Sequence, residues 1–273
     1  MRDEARLDLT GRPVELARVD LSRFFRPARV AVVGASETPH RESTATWRLL
    51  REWAGRVGAA IHPVNPNRRS VDGFPCVARL ADVPAPVDVV AVLVSDVAGI
   101  VRQAVECDAA FAVVFSAGFA ETDAAGRRAQ ERLRALLRGS RLRLLGPNTN
   151  LNAFETFRDD LTGSAVALIT QSGHHGRQVF LGQENGIRVS HWAPTGNEAD
   201  LEFADFARWF ADEPEVGAIA AYIEGFKNGR TLMLAADHCA RAGVPVTVLK
   251  VGATAPGRRA ASIRVRPFLK PSM

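Results

Sequence analysis

The sequence has few of the residues that mark secreted, metal-binding or membrane proteins. Its three cysteines, Cys76, Cys107 and Cys239, stand far apart, so neither a disulfide framework nor the spacing of a zinc site is present. No apolar run approaches the roughly 18 residues that a membrane-spanning helix needs. The N-terminal nine residues also lack the apolar core of a signal peptide. We therefore expect a cytoplasmic protein with no metal site and no membrane partner.

Positive charge is not gathered on one element. The chain carries 35 Lys and Arg against 30 Asp and Glu, a net charge of +5. Many arginines are interleaved with acids along the chain, whereas nucleic-acid-binding proteins concentrate their basic residues on one face. The exception is the acid-free stretch at residues 258–270. We expect no nucleic acid among the partners.

Short β-branched runs alternate with amphipathic stretches, which indicates an α/β fold. Near-continuous apolar runs are typical of parallel strands that helices cover on both faces. Strands are predicted over residues 29–34, 59–64, 87–94, 111–115 and 141–145, with helices over 44–54, 96–107 and 123–137. After a loop at 147–164, the pattern restarts with strands over 165–170, 188–193, 216–223 and 244–251 and helices over 176–185, 201–211 and 230–242. We expect a doubly wound, Rossmann-like domain over residues 1–149 and a second α/β domain over residues 150–273.

The ends of the first two strands indicate which cofactor is bound. Gly34, Ala35 and Ser36 are small residues that let a ligand approach the backbone beside a helix N-terminus, which can hold phosphate. The Gly-x-Gly-x-x-Gly fingerprint of NAD sites is missing, and Arg68 and Arg69 stand where such a site has an acid. Because guanidinium groups pair with phosphate, this end favours a cofactor with an additional phosphate, either CoA or NADP.

Several segments, each weak alone, together resemble the NDP-forming acyl-CoA synthetases and the α subunit of succinyl-CoA synthetase. They are Arg-Pro-Ala-Arg-Val-Ala-Val-Val-Gly-Ala-Ser (26–36), Val-Asn-Pro-Asn (64–67) with Gly-Phe-Pro (73–75), Ser-Ala-Gly-Phe (116–119), Gly-Pro-Asn (146–148), Ile-Thr-Gln-Ser-Gly (169–173), Gly-Asn-Glu-Ala-Asp (196–200) and Tyr-Ile-Glu-Gly (222–225). The resemblance implies a Rossmann-like CoA-binding domain followed by a flavodoxin-like domain of the succinyl-CoA-synthetase type. It also implies an acid–CoA ligase, which makes acyl-CoA from a small carboxylic acid, CoA and ATP or GTP through an acyl phosphate and a phosphorylated histidine.

The resemblance assigns roles to individual residues. The positions that match cofactor contacts are Gly34, Ala35, Ser36, Arg41, Asn67, Arg68, Ser116, Ala117, Gly118, Asn148, Ser172 and Gly173. Ser172 and Gly173 also precede a predicted helix whose free N–H groups can hold a phosphate. Glu224 matches the acid that steadies the phosphorylated histidine. His174 and His175 are candidates for a catalytic histidine, and ordinary helix-start or pocket residues are the alternative interpretation.

The chain departs from the family near its C-terminus. A loop of the Ser-His-Thr-Gly type is expected after Gly257, but the sequence there is Arg-Arg-Ala-Ala-Ser, and no histidine follows His238. A frameshift or gene truncation is our interpretation. The ATP-grasp module is then expected on a separate β-type subunit, which would bring ATP or GTP with Mg²⁺. The alternatives are a non-catalytic CoA- or acyl-CoA-binding module and an NADP-dependent oxidoreductase.

Overall fold

The computed structural model describes residues 19–173 and 175–251, and its first half is an α/β unit. The elements in chain order are α1 (Ser22–Phe25), β1 (Arg29–Val33), α2 (Glu42–Val57), β2 (Ala60–Val64), β3 (Ser70–Val71), β4 (Phe74–Pro75), β5 (Val89–Val92), α3 (Val97–Glu106), β6 (Phe111–Val114), α4 (Ala124–Leu137) and β7 (Arg143–Leu145). Five of these strands form a parallel sheet in the order β2-β1-β5-β6-β7. The sequence pattern predicts the other helices and strands but misses α1, which is a single turn, and the hairpin of β3 and β4, whose strands are two residues long.

Burial explains why the strands of this sheet are so apolar. Every residue of β5 and β6 is buried, as expected where helices cover both faces. On one face, α2 contributes Trp47 and Leu50 to the core cluster that contains Val30 of β1. The helix α3 begins where predicted, because the Asp96 carboxylate accepts the N–H of Gly99 at 3.0 Å.

The second half forms a smaller parallel sheet. A 3-10 turn at Leu151–Phe154 leads to β8 (Ala165–Thr170), α5 (Arg177–Phe180), β9 (Val189–Pro194), α6 (Phe203–Asp212), β10 (Val216–Ile223), α7 (Gly229–Ala242) and β11 (Val246–Lys250). The strand order is β11-β10-β8-β9. Both halves are therefore α/β, as the sequence indicates. Within the described residues, none of the helices is long and apolar enough to span a bilayer.

The prediction of a helix over residues 176–185 is wrong in extent, because the α-helix is shorter. Its α-helical part is the single turn α5, and a 3-10 turn continues it over Leu181–Asn185. Gly182 lies inside this stretch and weakens an α-helix, and Gly186 ends it with a left-handed backbone, φ 83°.

The two sheets are docked through aromatic packing and backbone hydrogen bonds. Phe25 of α1 stacks on Trp209 of α6 with ring centroids 5.0 Å apart. The backbone N–H groups of residues 197, 199 and 201 donate to the carbonyl groups of residues 147, 146 and 144, at 2.9, 2.9 and 3.1 Å. The boundary between residues 149 and 150 lies within this docked region and stays a prediction.

Candidate functional site

A cavity of about 800 Å³ lies beyond the carboxyl ends of β1, β2 and β5. The chain runs from β1 outward to β2 and then crosses to β5 on the other side of β1, so this is the switch point at which doubly wound sheets bind ligands. The predicted contacts that line it are Gly34, Ser36, Arg41, Asn67 and Arg68. Ser43, Arg79 and Gln103 also line it, although they carry no motif of their own and were not predicted.

The first strand end has the small residues that the cavity requires. Gly34 has φ +90°, and a Cβ there would lie 2.6 Å from Cγ1 of Val94. Ala35 is fully buried, and its carbonyl accepts the side-chain N–H of Asn65 at 2.9 Å. The backbone at this point is therefore fixed beside the cavity, while Ala35 itself offers no exposed side chain.

The N-terminal end of α2 faces the cavity. Arg41 and Ser43 from this end line it, and the Arg41 side chain does not cap the helix. The turn before the helix is held by two hydrogen bonds, from the Thr38 N–H to Ser36 Oγ (3.1 Å) and from Thr44 Oγ1 to the Thr38 carbonyl (2.7 Å). The partial positive charge of a 16-residue helix therefore adds to the arginine charge at this wall.

Arg68 lines the cavity but already has an acidic partner. Its Nη1 donates to Glu37 Oε1 at 3.1 Å, and its Nη2 donates to Thr38 Oγ1 at 2.6 Å. The second carboxylate oxygen of Glu37 accepts the backbone N–H of Asp72 at 2.7 Å. A phosphate that enters must therefore share this guanidinium with Glu37.

The remaining predicted contacts of the first domain lie farther along the same sheet edge and do not line the cavity. They are Ser116, Ala117, Gly118 and Asn148, near the carboxyl end of β6. The Asn148 N–H donates to the Ser116 carbonyl at 3.0 Å. The N–H groups of Gly118 and Phe119 donate to Glu121 Oε1 at 2.6 and 3.2 Å. The structure thus brings Asn148 and this loop together, and their role in CoA binding stays a prediction.

In the second domain, Gln171 holds the turn that carries Glu224. Thr170 of β8 pairs in register with Tyr222 of β10, so the residues that follow each strand are neighbours. Gln171 Oε1 accepts the N–H groups of Glu224 and Gly225 at 2.7 and 2.9 Å, and its Nε2 donates to the Gly225 carbonyl at 2.6 Å. This side chain was not among the predicted site residues, although it lies within the Ile-Thr-Gln-Ser-Gly motif.

His175 lies at the same edge. Its Nδ1 is 2.8 Å from Ser172 Oγ, and its ring stacks on Tyr222 at 4.2 Å with planes 8° apart. Burial, together with the charge of Glu224, raises the pKa of the Tyr222 hydroxyl. Ser172, His175 and Glu224 are thus gathered around the ends of β8 and β10. His174 lies outside the described residues.

Gly173 belongs to the same turn and packs against Asn150 and Asn152. Its carbonyl accepts the Asn152 side-chain N–H at 2.7 Å. A Cβ on Gly173 would lie 2.0 Å from Asn150 Nδ2, so a larger residue there requires the Asn150 side chain to move. Because α5 is a single turn, the helix-terminal contribution to anion binding here is smaller than the sequence predicts.

Glu198 is a buried acid that the motif analysis did not single out. It is 2% exposed, and its Oε1 accepts hydrogen bonds from Thr195 Oγ1 at 3.0 Å and the Phe203 N–H at 3.2 Å. Burial raises the pKa of this carboxyl, and the neighbouring Gln171 side chain offsets part of the rise. Within the described ranges, His, Cys, Asp and Glu side chains form no group of three or more that could hold a metal ion.

Comparison with known proteins matches two family models to the two halves. The family described as a CoA binding domain matches residues 28–154, and the succinyl-CoA ligase like flavodoxin domain matches residues 163–267. The α subunit of acetate–CoA ligase [ADP-forming] II from Pyrococcus furiosus is 33% identical over 252 residues, which cover 89% of this chain and 54% of the relative. Acetate–CoA ligase [ADP-forming] I from Archaeoglobus fulgidus is 34% identical over 254 residues, which cover 89% of this chain and 36% of the relative.

The same similarity is present in solved structures. The apo form of dinucleotide-forming acetyl-coenzyme A synthetase 1 from Ca. Korarchaeum cryptofilum aligns with a TM-score of 0.77 at 30% identity, covering 90% of this chain and 55% of that one. The chain therefore spans about half, or less, of the length of these relatives.

Proposed function

Because the chain belongs to the NDP-forming acyl-CoA synthetase family through its CoA-binding and succinyl-CoA-ligase-like domains, we propose that it is the CoA-binding part of an acid–CoA ligase. The switch-point cavity supports this proposal most strongly. Arg41, Arg68 and Arg79 line it, together with the uncapped N-terminal end of α2. Such a wall suits a ligand with several phosphates.

The rest of the cavity matches the chemistry of CoA. Its volume is about 800 Å³. Small-molecule and cofactor sites usually have volumes on the order of 300–1,000 Å³. Leu93, Val94 and Ile100 provide an apolar side against which pantetheine can pack. Bound CoA would supply the thiol that accepts the acyl group. Arg68 would bind a phosphate, and the backbone at Gly34 would let the ligand come close to the sheet.

The second domain would bind the phosphoryl group and orient the histidine that carries it. Gln171 fixes the backbone turn that contains Glu224. The Glu224 carboxylate would accept an N–H from the imidazole of the phosphorylated histidine and so orient its ring. Ser172 and Gly173 would contribute polar groups to the phosphate beside His175. A β-type subunit with an ATP-grasp module would bring ATP or GTP with Mg²⁺, and a small carboxylic acid such as acetate would be the substrate, as the names of the relatives suggest.

Calorimetric titration tests the cofactor assignment. The protein is titrated with CoA, with dephospho-CoA (which lacks the ribose 3′-phosphate) and with NADP⁺. We expect CoA to bind about tenfold more tightly than dephospho-CoA, since one charge-assisted phosphate contact contributes roughly that much. Binding of NADP⁺ without binding of CoA would contradict the assignment and favour an oxidoreductase.

A second assay separates a ligase subunit from a CoA-binding module. The protein is incubated with labelled ATP, Mg²⁺, acetate, CoA and an ATP-grasp subunit of a relative. A ligase subunit is expected to support acetyl-CoA formation. If CoA binds but no acetyl-CoA forms with several such subunits, the chain is a binding module instead.

A further inference from the structure

The Ser-Ala-Gly-Phe loop, residues 116–119, is held at both of its ends. At its start, the Ser116 carbonyl accepts the N–H of Asn148 at 3.0 Å. At its end, Glu121 Oε1 accepts the N–H groups of Gly118 and Phe119 at 2.6 and 3.2 Å. Gly118 has φ +100° and is exposed, so its conformation depends on these bonds more than on packing. Asn148 and Glu121 therefore set the shape of the loop.

One side chain of the second domain contacts both of these residues. Asn197 Nδ2 donates to Glu121 Oε2, and Asn197 Oδ1 accepts the Asn148 side-chain N–H at 3.4 Å. Gln130 Oε1, which also accepts from Asn197 Nδ2 at 3.1 Å, keeps the carboxamide of Asn197 in this orientation. Asn197 is 2% exposed, so water does not compete for these bonds.

The backbone beside Asn197 is fixed against the first domain. Its N–H donates to the Pro147 carbonyl at 2.9 Å. A Cβ on the preceding Gly196 would lie 2.5 Å from the same carbonyl oxygen, so the two segments are in direct contact. The carboxamide of Asn197 therefore moves with the docked domains and not with the loop.

We propose that Asn197 is a positioning residue by which the second domain sets the CoA-contacting loop of the first, through Glu121 and Asn148. This inference rests on the proposed function, because it takes residues 116–118 as a CoA contact. It implies that CoA affinity depends on the donor and acceptor arrangement at Asn197 and Glu121, and not on domain docking in general.

The test exchanges donor and acceptor across this contact in the full chain. Asn197→Asp places two carboxylates side by side, and we expect CoA affinity by calorimetry to fall about tenfold, a usual coupling for contacting polar residues. Glu121→Gln leaves two amide N–H groups facing each other and should also weaken binding. In the double variant, Gln at 121 can accept from the loop and donate to Asp at 197, while Gln130 turns its carboxamide and gives up only the long, 3.3 Å bond from the Ala120 N–H. We expect affinity to return to within about threefold of the original.

A remote interdomain contact provides the control. Glu213→Gln weakens the ion pair with Arg26, in which Nη1 and Nη2 lie 2.9 and 3.2 Å from the carboxylate, without touching the loop. We expect its CoA affinity to be unchanged. Thermal unfolding of every variant, with titration well below the midpoint, separates misfolding from altered binding.

The outcomes distinguish the inference from the function on which it rests. Loss of affinity in both single variants with recovery in the double variant supports the role of Asn197. Unchanged affinity in Asn197→Asp, an equal loss in Glu213→Gln, or no recovery in the double variant overturns it while CoA binding by the original chain stands. A chain that does not bind CoA at all overturns both.

Discussion

At the scale of single residues, we expect the pairing of Arg68 with Glu37 to set how strongly the cavity attracts phosphate. Arg68 is 29% exposed on its side chain and lies 3.1 Å from the Glu37 carboxylate. Glu37→Gln keeps the hydrogen-bonding shape but removes the competing charge, so we expect CoA affinity to rise severalfold. Arg68→Gln should lower it about tenfold or more. Calorimetric titration of the two variants with CoA measures both changes in affinity. If both variants changed CoA affinity in the same direction, Glu37 would not be competing with phosphate for Arg68.

We expect His191 to make folding stability depend on pH. It is 5% exposed, its Nδ1 lies 2.9 Å from Ser190 Oγ, and Phe25, Trp209 and Phe210 surround the ring. Burial lowers its pKa to about 4, although Glu215 and Glu213 partly oppose the shift. In the unfolded chain the histidine has its ordinary pKa of 6.5. Between pH 6.5 and 4 it is therefore protonated in the unfolded chain but neutral in the folded protein, so the free energy of unfolding decreases as pH falls from about 6.5 toward 4.

The expected loss from this histidine is about 2 kcal/mol between pH 7 and pH 5. His191→Phe keeps an aromatic ring in the cluster and removes the titration, so its unfolding free energy should change less over that interval. Urea unfolding at the two pH values measures the difference. His238→Gln, at the exposed contact with Asp212, serves as control and should retain the dependence of the original chain. Equal pH dependence in His191→Phe would show that other groups cause it.

At the scale of elements, substitutions at two glycines with left-handed backbones distinguish the cost of backbone strain from the cost of close contact with neighbouring atoms. Gly34 ends β1 with a Cβ position 2.6 Å from Val94, whereas Gly58 ends α2 with no atom within 4 Å of its Cβ position. Gly58→Ala should cost about 1 kcal/mol from backbone strain. Gly34→Ala should cost a further 1–3 kcal/mol or so from overpacking and should also weaken CoA binding. Chemical unfolding and titration of both variants measure these effects. Equal costs would mean that Val94 simply moves aside.

The elements that the sequence predicts well are those whose local signals agree. The helix α3 has a capping aspartate and an apolar face, and β5 and β6 are apolar at every residue, so their positions follow from periodicity. The helix at residues 176–185 is wrong in extent because a glycine interrupts its pattern. The hairpin β3–β4 escapes detection because strands of two residues carry no periodicity.

The residues of the candidate site also fall into those that the sequence predicts and those that it misses. Gly34, Ser36 and Arg68 lie at or just after the ends of predicted strands, and they meet at one cavity because the carboxyl ends of parallel strands share an edge of the sheet. Arg79 and Gln103 line that cavity from a loop and from a helix face, and no local pattern marks them. The links of Asn197 to Glu121 and of Gln171 to Glu224 join residues more than 50 positions apart, so only the folded structure shows them.

At the scale of the whole molecule, the two domains are expected to unfold together. The Asp200 carboxylate accepts hydrogen bonds from Nε and Nη2 of Arg143, at 2.9 and 3.1 Å, and from the backbone N–H of Leu144 at 2.8 Å. Asp200→Ala leaves a half-buried Arg143 without this partner, and we expect a loss of about 2 kcal/mol, discounted for partial exposure. Scanning calorimetry should show one transition in the original chain and a lower midpoint in the variant.

The control for this prediction is an exposed ion pair within one helix. Glu52 pairs with Arg56 in α2 at 2.8 Å and is 74% exposed. Glu52→Ala should change stability by less than about 0.5 kcal/mol. Two separate transitions in the original chain, or equal effects of the two variants, would show that the Asp200 contact does not hold the domains together.

A crystal structure of the protein with CoA shows whether the cofactor occupies the switch-point cavity. We expect electron density for the phosphates in the cavity at the ends of β1, β2 and β5, with one phosphate on Arg68 and another near the N-terminal end of α2. The Arg68–Glu37 contact should lengthen as the phosphate takes over part of the guanidinium. CoA bound elsewhere on the molecule, with this cavity empty and Arg68 still on Glu37, would contradict this expectation.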